Sequence, residues 1–258
     1  MRSAAWLFVV ILLAAACRKR PDPTPIPAQL IDSGGIKIPQ LRVQFTPTMN
    51  GLPLRMDTVW YRNAAGDSFQ VREHKYYVSN FTLQTDSGAT VKIPESYLLV
   101  DAWDVRPRDL PGVPPGTYTR ISFLLGVDSG RNVSGAQTGD LEQSKGMFWD
   151  WDAGYIMAKM EGHSPQSTLS GGELFFHIAG FSGKYHVLRT VTLDLPAPIV
   201  LKPGKKPIIQ LQSDLGSWFS GPSPFGFADF SRITTPGPEA SAVADNYSKG
   251  FRVVRIDP

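Results

Sequence analysis

GMFWDWDAGYIMAKMEG, residues 146–162, places two tryptophans at alternate positions of a strand-like segment that glycines close at both ends. Alternate side chains of a β-strand share one face and lie ~6.5–7 Å apart. Trp149 and Trp151 are therefore predicted to form a paired indole surface, with Asp150 and Asp152 on the opposite face. Because glycine favours turns at both ends, the stretch predicts a strand whose indole pair is either a core anchor or a binding site.

Short alternating segments of this kind recur along the chain, with turns rich in Gly, Pro and Asn between them. In YYVSNFTLQT, for example, Tyr77, Ser79, Phe81 and Leu83 are predicted to share one face. Further strands are predicted at residues 41–45, 96–103, 121–127, 173–179, 191–195, 208–212 and 251–256, and a short helix at 240–247. This pattern predicts an all-β fold: a single antiparallel β-sandwich domain, Ig-like or jelly-roll-like.

The composition is that of a folded protein that does not bind nucleic acid. The chain has 258 residues, of which 42% are hydrophobic and 19% charged, which is enough for a substantial core. Four of the 26 basic residues and one of the 23 acidic residues precede residue 23, so the rest of the chain carries 22 of each sign. A nucleic-acid partner needs a clustered basic face, and the sequence contains none.

The N-terminus has the pattern of a bacterial lipoprotein signal, which we assign to residues 1–17. A positive start precedes AWLFVVILLAAA, an apolar run too short to span a membrane comfortably. Cys17, the only cysteine, follows three alanines, one of which replaces the preferred leucine of the lipobox. Cys17 is thus predicted to be the lipidated first residue of the mature protein; the alternatives are ordinary cleavage after Ala16 or an uncleaved anchor.

Residues 18–40 are predicted to be a Pro-rich linker, and residues 41–258 the β-sandwich domain. RKRPDPTPIPAQ carries four prolines at alternate positions and favours a polyproline II spacer. A lipid, a spacer and a domain together predict a protein tethered in the cell envelope, facing the periplasm or on the outer membrane. Lipidation of Cys17 would leave no thiol, which excludes disulfides and a cysteine metal site.

The chain has four histidines and no close metal-binding pair such as HExxH. His177 alternates with Phe175 in ELFFHIAGFSG, where it is either a metal ligand or a structural residue. His163 and His186 fall in predicted loops, and His74, in REHKYY, is predicted to face solvent.

Soft thioether donors suit Cu(I) together with imidazoles, and Met147 precedes the tryptophan pair. Methionine also fills cores, so both roles stay open for it. No G-x-S-x-G, P-loop or dinucleotide fingerprint occurs, and no nucleophile–base pair can be assigned. The sequence therefore does not predict an enzyme.

Six segments, taken in order, carry a resemblance to a known family: residues 77–80, LGVD at 125–128, RNVSGAQTG at 131–139, residues 146–162, FFHIAGFSG at 175–183 and ADNYS at 244–248. Together they resemble the MbnP-like copper-binding protein family over roughly residues 41–256. The segment at 146–162 and the strand around His177 are the most specific parts.

The resemblance implies a secreted or lipid-anchored β domain that binds copper for acquisition, storage or delivery. In better-understood relatives, a di-haem peroxidase of the MauG type oxidises a tryptophan to kynurenine, which joins histidines at the copper site. The W-x-W element and the F-H-[IL]-[GA] strand of the family match residues 149–151 and 176–179. The candidate metal ligands are His177, Trp149, Trp151, His163, His186 and Met147.

The sequence also leaves two other function classes open. In the first, Trp149, Trp151 and Tyr155 form an exposed stacking platform through which a non-catalytic lipoprotein binds carbohydrate or protein. In the second, the same scaffold is a hydrolase, which ranks last because no nucleophile and base can be named. Replacement of Trp149 by phenylalanine separates the first class from copper binding, since phenylalanine preserves stacking but gives no kynurenine.

Overall fold

The computed structural model describes residues 40–150 and 154–258, which form two β-sheets packed face to face. The signal segment with Cys17, nearly all of the Pro-rich linker, and Trp151 lie outside the described residues. The strands are β1 (Leu41–Met49), β2 (Leu52–Pro53), β3 (Tyr61–Arg62), β4 (Ser68–Thr85), β5 (Thr90–Lys92), β6 (Tyr97–Asp101), β7 (Arg108–Leu110), β8 (Gly116–Leu125), β9 (Phe148–Asp150), β10 (Gly154–His163), β11 (Glu173–Ala179), β12 (Arg189–Leu201), β13 (Ile208–Asp214), β14 (Arg232–Ile233) and β15 (Phe251–Asp257).

Helical structure is confined to short segments at the ends of the sheets. The α-helices are α1 (Ser129–Asn132), α2 (Ser217–Ser220) and α3 (Pro238–Tyr247), and single 3-10 turns occur at Gly139–Leu141, Gln143–Lys145 and Ser170–Gly172. The predicted helix at 240–247 is confirmed as α3, which begins at a proline, as fits a first helical position. No helix in the described part of the chain is long and apolar enough to cross a membrane.

The smaller sheet has the order β15-β13-β1-β2, with β7 also paired to β1. Its central pair, β1 and β13, runs parallel, with Arg42 opposite Ile208. A parallel pair cannot be closed by a hairpin, and here almost the whole domain lies between the two strands. The sandwich prediction is confirmed, with this parallel pair and a second one between β11 and β14 as local departures from antiparallel order.

The larger sheet has the order β12-β8-β4-β10-β11-β14, with β3, β5, β6 and β9 paired to its members. Apolar side chains from both sheets meet in an aromatic core in which Phe45 contacts Tyr76, Phe81, Phe123 and Phe251 at ring centroid distances of 5.4–6.5 Å. Edge-to-face packing of this kind stabilises a core beyond its buried area.

The prediction that Tyr77 and Phe81 share a face is wrong. Phe81 packs against Phe123 in the core, whereas Tyr77 contacts Tyr155 on the other side of the sheet. The cause lies at Asn80, which has a φ of 52° where the register of β4 against β8 shifts. An extra residue at a bulge reverses the alternation of side chains beyond it.

The outer face of the larger sheet is partly covered by the segment between β8 and β9. The Tyr77 hydroxyl donates to the Asp140 carbonyl at 3.0 Å, and the Tyr155 hydroxyl donates to the Leu141 carbonyl at 2.6 Å. Tyr77 and Tyr155 pack edge to face at 5.5 Å. This covering layer leads into β9 and therefore brings Trp149 to the outer face of the larger sheet.

Candidate metal centre

The candidate site lies on the outer face of the larger sheet, where β10 pairs with β11. Lys159, Glu161 and His163 are half-buried on this face, while the intervening Met160 and Gly162 are buried. The antiparallel register places Lys159 opposite His177. Since side chains of opposed residues emerge on the same face, this register brings His177 to the face on which the covering layer lies.

Trp149 reaches the same place from β9. Its ring centroid lies 6.2 Å from that of His177, with the two ring planes inclined by 45°. Trp149 is partly buried against the core, and β9 is held to the start of β10, where Asp150 pairs with Gly154. An indole and an imidazole from separate strands are therefore neighbours, which is the arrangement that the family resemblance implies.

A buried asparagine fixes the start of β10, the strand to which β9 pairs. The Asn132 side chain donates to the Val127 carbonyl at 2.6 Å, and it accepts from the Tyr155 amide at 3.0 Å. A Cβ on Gly154 would lie 2.4 Å from the Asn132 side-chain oxygen, and Gly154 has a φ of +72°. Glycine is needed there both for space and for backbone conformation, which explains the glycine in the middle of residues 146–162.

His177 is oriented by a carboxylate. Its Nε2 lies 2.7 Å from Glu161 Oε1. An ionised carboxylate only accepts hydrogen bonds, so Nε2 carries the proton and Nδ1 holds the lone pair of the neutral ring. Burial lowers the pKa of His177, although the bond to Glu161 opposes the shift and Lys159 adds to it. The ring is thus kept neutral, the state in which imidazole binds metals.

Two lysines and a second carboxylate, that of Glu73, lie beside the pair formed by His177 and Glu161. Lys159 Nζ lies 2.8 Å from Glu73 and 3.2 Å from Glu161, and Lys75 Nζ lies 2.9 Å from Glu73. Burial opposes ionisation of Glu73, but the hydrogen bonds from Lys159 and Lys75 outweigh it and lower its pKa. The lysine charge opposite His177 is therefore shared between two carboxylates, which reduces its repulsion of a bound cation.

His163 does not join this group. It lies four residues beyond Lys159 on β10, which at ~3.3 Å per residue places it about 13 Å along the strand from the row of His177. Its ring instead packs edge to face on Trp60, at a centroid distance of 5.8 Å. A single ion cannot bind both imidazoles in this arrangement.

The remaining candidate ligands occupy three different settings. His186 is exposed in the loop that follows β11, the strand of His177. Met147 is fully buried in the hydrophobic core, where it fills space. Trp151 lies outside the described residues.

Two expectations about neighbouring residues are wrong. His74 was predicted to face solvent, but it is 2% exposed and packs between Tyr76 and Trp218. Tyr155 was predicted to belong to an exposed stacking platform, but it is 2% exposed and lies beneath the covering layer. His74 lies on β4 and Tyr155 on β10, and each of these strands has a neighbouring strand on both sides. The sheet therefore buries both residues, although their polar neighbours in the sequence suggested that they were exposed.

Glu161 is the residue of the candidate site that sequence reasoning missed. It alternates with Lys159 in β10 and lies diagonally across from His177, a relation that depends on the strand register. Within residues 40–150 and 154–258, no three His, Cys, Asp or Glu residues form a group able to hold a metal ion. Among the described residues the site therefore offers an imidazole that is oriented by a carboxylate and lies beside an indole.

Comparison with known proteins agrees with this architecture. The MbnP family model matches residues 39–235 of the chain. Among solved structures, MbnP from Methylosinus trichosporium is similar with a TM-score of 0.53 and 14% sequence identity, over 81% of this chain and 88% of that chain. At this identity the structural likeness concerns the fold alone. No match was found among curated proteins.

Proposed function

The chain belongs to the MbnP family, whose model covers more than half of its length, and from this premise we propose that it is a non-catalytic copper-binding protein anchored in the cell envelope. The observation that carries the proposal is the 6.2 Å approach of the Trp149 and His177 rings on one sheet face. Imidazole binds copper in either oxidation state, and His177 is held neutral with its Nδ1 lone pair available.

The donor set supports a site that is completed by modification. The imidazole of His177, oriented by Glu161, is a single donor and too few for a stable copper site, and the neighbouring indole is not a metal donor. Oxidation of Trp149 or Trp151 to kynurenine would open the five-membered ring and supply an aromatic amine and a carbonyl. Two molecules of hydrogen peroxide would convert the tryptophan to kynurenine, with release of formate and water, so the oxidant is a peroxide.

The proposed partner for this step is a di-haem peroxidase of the MauG type. The proposed location follows from the signal segment: Cys17 would carry the lipid, and the proline-rich spacer would hold the domain away from the membrane. In this position the protein would take up, store or deliver copper on the periplasmic side of the envelope or at the outer membrane.

Glu161 has a positioning role in this proposal. By accepting from Nε2 it fixes the tautomer of His177 and leaves the Nδ1 lone pair as the donor for a metal ion. Loss of such a partner typically weakens metal binding by about 10–100-fold. Glu161→Gln should therefore reduce copper affinity by about that factor without unfolding the protein, because glutamine is close in shape.

The test is expression of the full chain with its native N-terminus, with and without the partner peroxidase, in copper-replete cells. Bound copper is measured by mass spectrometry of the metal, and the intact mass together with peptide mapping identifies any kynurenine. We expect copper and kynurenine in the wild type with the peroxidase and little copper without it. Trp149→Phe and Trp151→Phe, made singly, identify the modified position.

Trp103→Phe is the matched control, because Trp103 is 65% exposed and belongs to the loop after β6. It should bind copper like the wild type. An unmodified mass with no copper above background in the presence of the peroxidase contradicts the proposal. So does full copper loading in both the Trp149 and the Trp151 variants.

A further inference from the structure

A large cleft opens at the end of the sandwich, away from the tryptophan–histidine pair. It has a volume of ≈ 760 Å³ and is lined by the carboxyl ends of β1 and β13, the start of β15, the residues at and after β3, and α2. This volume falls in the range of small-molecule sites. None of the residues that line it belongs to the candidate metal centre.

The cleft carries three positive side chains: Arg62 at the end of β3, Lys249 in the turn before β15, and Arg252 on β15. None of them forms an ion pair with a carboxylate in the part of the chain that the structure describes. The guanidinium of Arg252 is held in place by Gln212 Oε1, at 2.9 Å from Nε and 2.5 Å from one terminal nitrogen. A neutral partner orients this arginine without cancelling its charge.

The one carboxylate in the lining is already used by the backbone. Asp214 Oδ1 accepts from the Asn50 amide at 3.1 Å and from the Gly216 amide at 2.9 Å. It thereby fixes two loops of the rim instead of pairing with a cation. The lining therefore has three positive charges against one negative charge, and the serine hydroxyls of α2 add polar groups at its edge.

We propose that this cleft binds a phosphate-bearing ligand with at least two negative charges. Arginine forks make charge-assisted, bidentate bonds to phosphate oxygens. A tetrahedral dianion can accept such bonds from cations on β3 and on the stretch that leads into β15. Phosphate groups of this kind occur both in soluble molecules and in lipid headgroups. This site and the copper site are separate, so either can exist without the other.

Calorimetric titration of the lipid-free domain, residues 39–258, with pyrophosphate at low ionic strength tests the proposal for a soluble ligand. Sedimentation with vesicles containing phosphatidylglycerol and phosphatidic acid tests it for a lipid headgroup. We expect saturable binding in at least one of these two assays, weakened by added salt. We also expect each of Arg62→Gln and Arg252→Gln to raise the dissociation constant by about tenfold or more.

Arg255→Gln is the matched control. Arg255 lies on β15 like Arg252, but it pairs with Asp257 and does not line the cleft. The Arg255→Gln variant loses one positive charge, as the two cleft variants do, so it controls for non-specific attraction of anions. Absence of saturable binding in both assays overturns the proposal, and so does a loss of binding in Arg255→Gln equal to that in Arg62→Gln and Arg252→Gln. Circular dichroism of each variant confirms that it is folded.

Discussion

Substitution of His74 by glutamine should flatten the pH dependence of the free energy of unfolding in mildly acidic solution. The imidazole is 2% exposed, and its Nδ1 lies 3.2 Å from the Lys159 carbonyl oxygen, to which it donates. Burial lowers its pKa from 6.5 to about 4, with the bond to Lys159 acting in the opposite direction. The native protein thus keeps His74 neutral where an unfolded chain would protonate it.

The magnitude follows from proton linkage. Above pH 6.5 neither state binds the proton, so the contribution of His74 is fully present. As the pH falls toward 4, the unfolded state binds a proton that the native state excludes, and stability is lost. The gap between 6.5 and about 4 corresponds to about 3.4 kcal/mol in full and to about 2.5 kcal/mol at about pH 4.5.

Urea unfolding followed by tryptophan fluorescence at about pH 7.5 and about pH 4.5 measures this term. The wild type should lose about 2.5 kcal/mol more between these conditions than His74→Gln, because the carboxylates contribute equally to both proteins. Any constant cost of the substitution cancels in the difference. His186→Gln, an exposed histidine variant, should follow the wild type. Parallel losses in the wild type and His74→Gln would refute the assignment of a buried neutral imidazole.

Three further substitutions probe side-chain packing and hydrogen bonding within the domain. Gly162→Ala should destabilise the protein by about 1–3 kcal/mol or more, because a Cβ there would lie 2.1 Å from the Gln70 carbonyl oxygen of the neighbouring strand; thermal denaturation measures the loss. Tyr247→Phe should be neutral or stabilising, since its buried hydroxyl has no hydrogen-bond partner among the described residues. Tyr155→Phe should instead cost about 1 kcal/mol, because it removes the bond to the Leu141 carbonyl, and equal effects in the two tyrosine variants would contradict this reasoning.

Local pattern was sufficient to predict most strands. The predicted strand at 173–179 coincides with β11, and the other predicted strands overlap β1, β4, β6, β8, β12, β13 and β15. Alternation and turn residues act over a few positions, so a single sequence contains this information. The parallel pairing of β1 with β13 could not be predicted in the same way, because it joins segments at opposite ends of the domain.

The errors in the predicted faces have two causes, a bulge and burial by the sheet. At Asn80, a positive φ inserts a bulge that moves Tyr77 and Phe81 to opposite faces. Asparagine adopts this conformation more readily than most residues, which is the signal that the sequence offered. For His74, the flanking charges of REHKYY suggested solvent, but the sheet buries alternate residues of β4 regardless of their charged neighbours.

The aromatic residues of the candidate site could be identified from the sequence, but its carboxylate could not. Trp149 and His177 were identified by residue type and by the family resemblance, and their rings do meet. Glu161 was not identified, because its relation to His177 arises from the register between β10 and β11. A shift of that register by one residue would place the carboxylate on the opposite face.

The segments that carry the family resemblance divide into residues that build the site and residues that offer donor atoms. Asp128 caps α1 and accepts from Arg131 and Tyr97, while Asn132 clamps the start of β10. These residues hold the covering layer in place and hence position Trp149 over His177. Their presence accounts for a shared fold and for the geometry of the ring pair, whatever the metal. The proposed copper binding instead depends on donor atoms at a few positions, so substitutions at Trp149, Trp151, His177 and Glu161 test the proposal while leaving the framework intact.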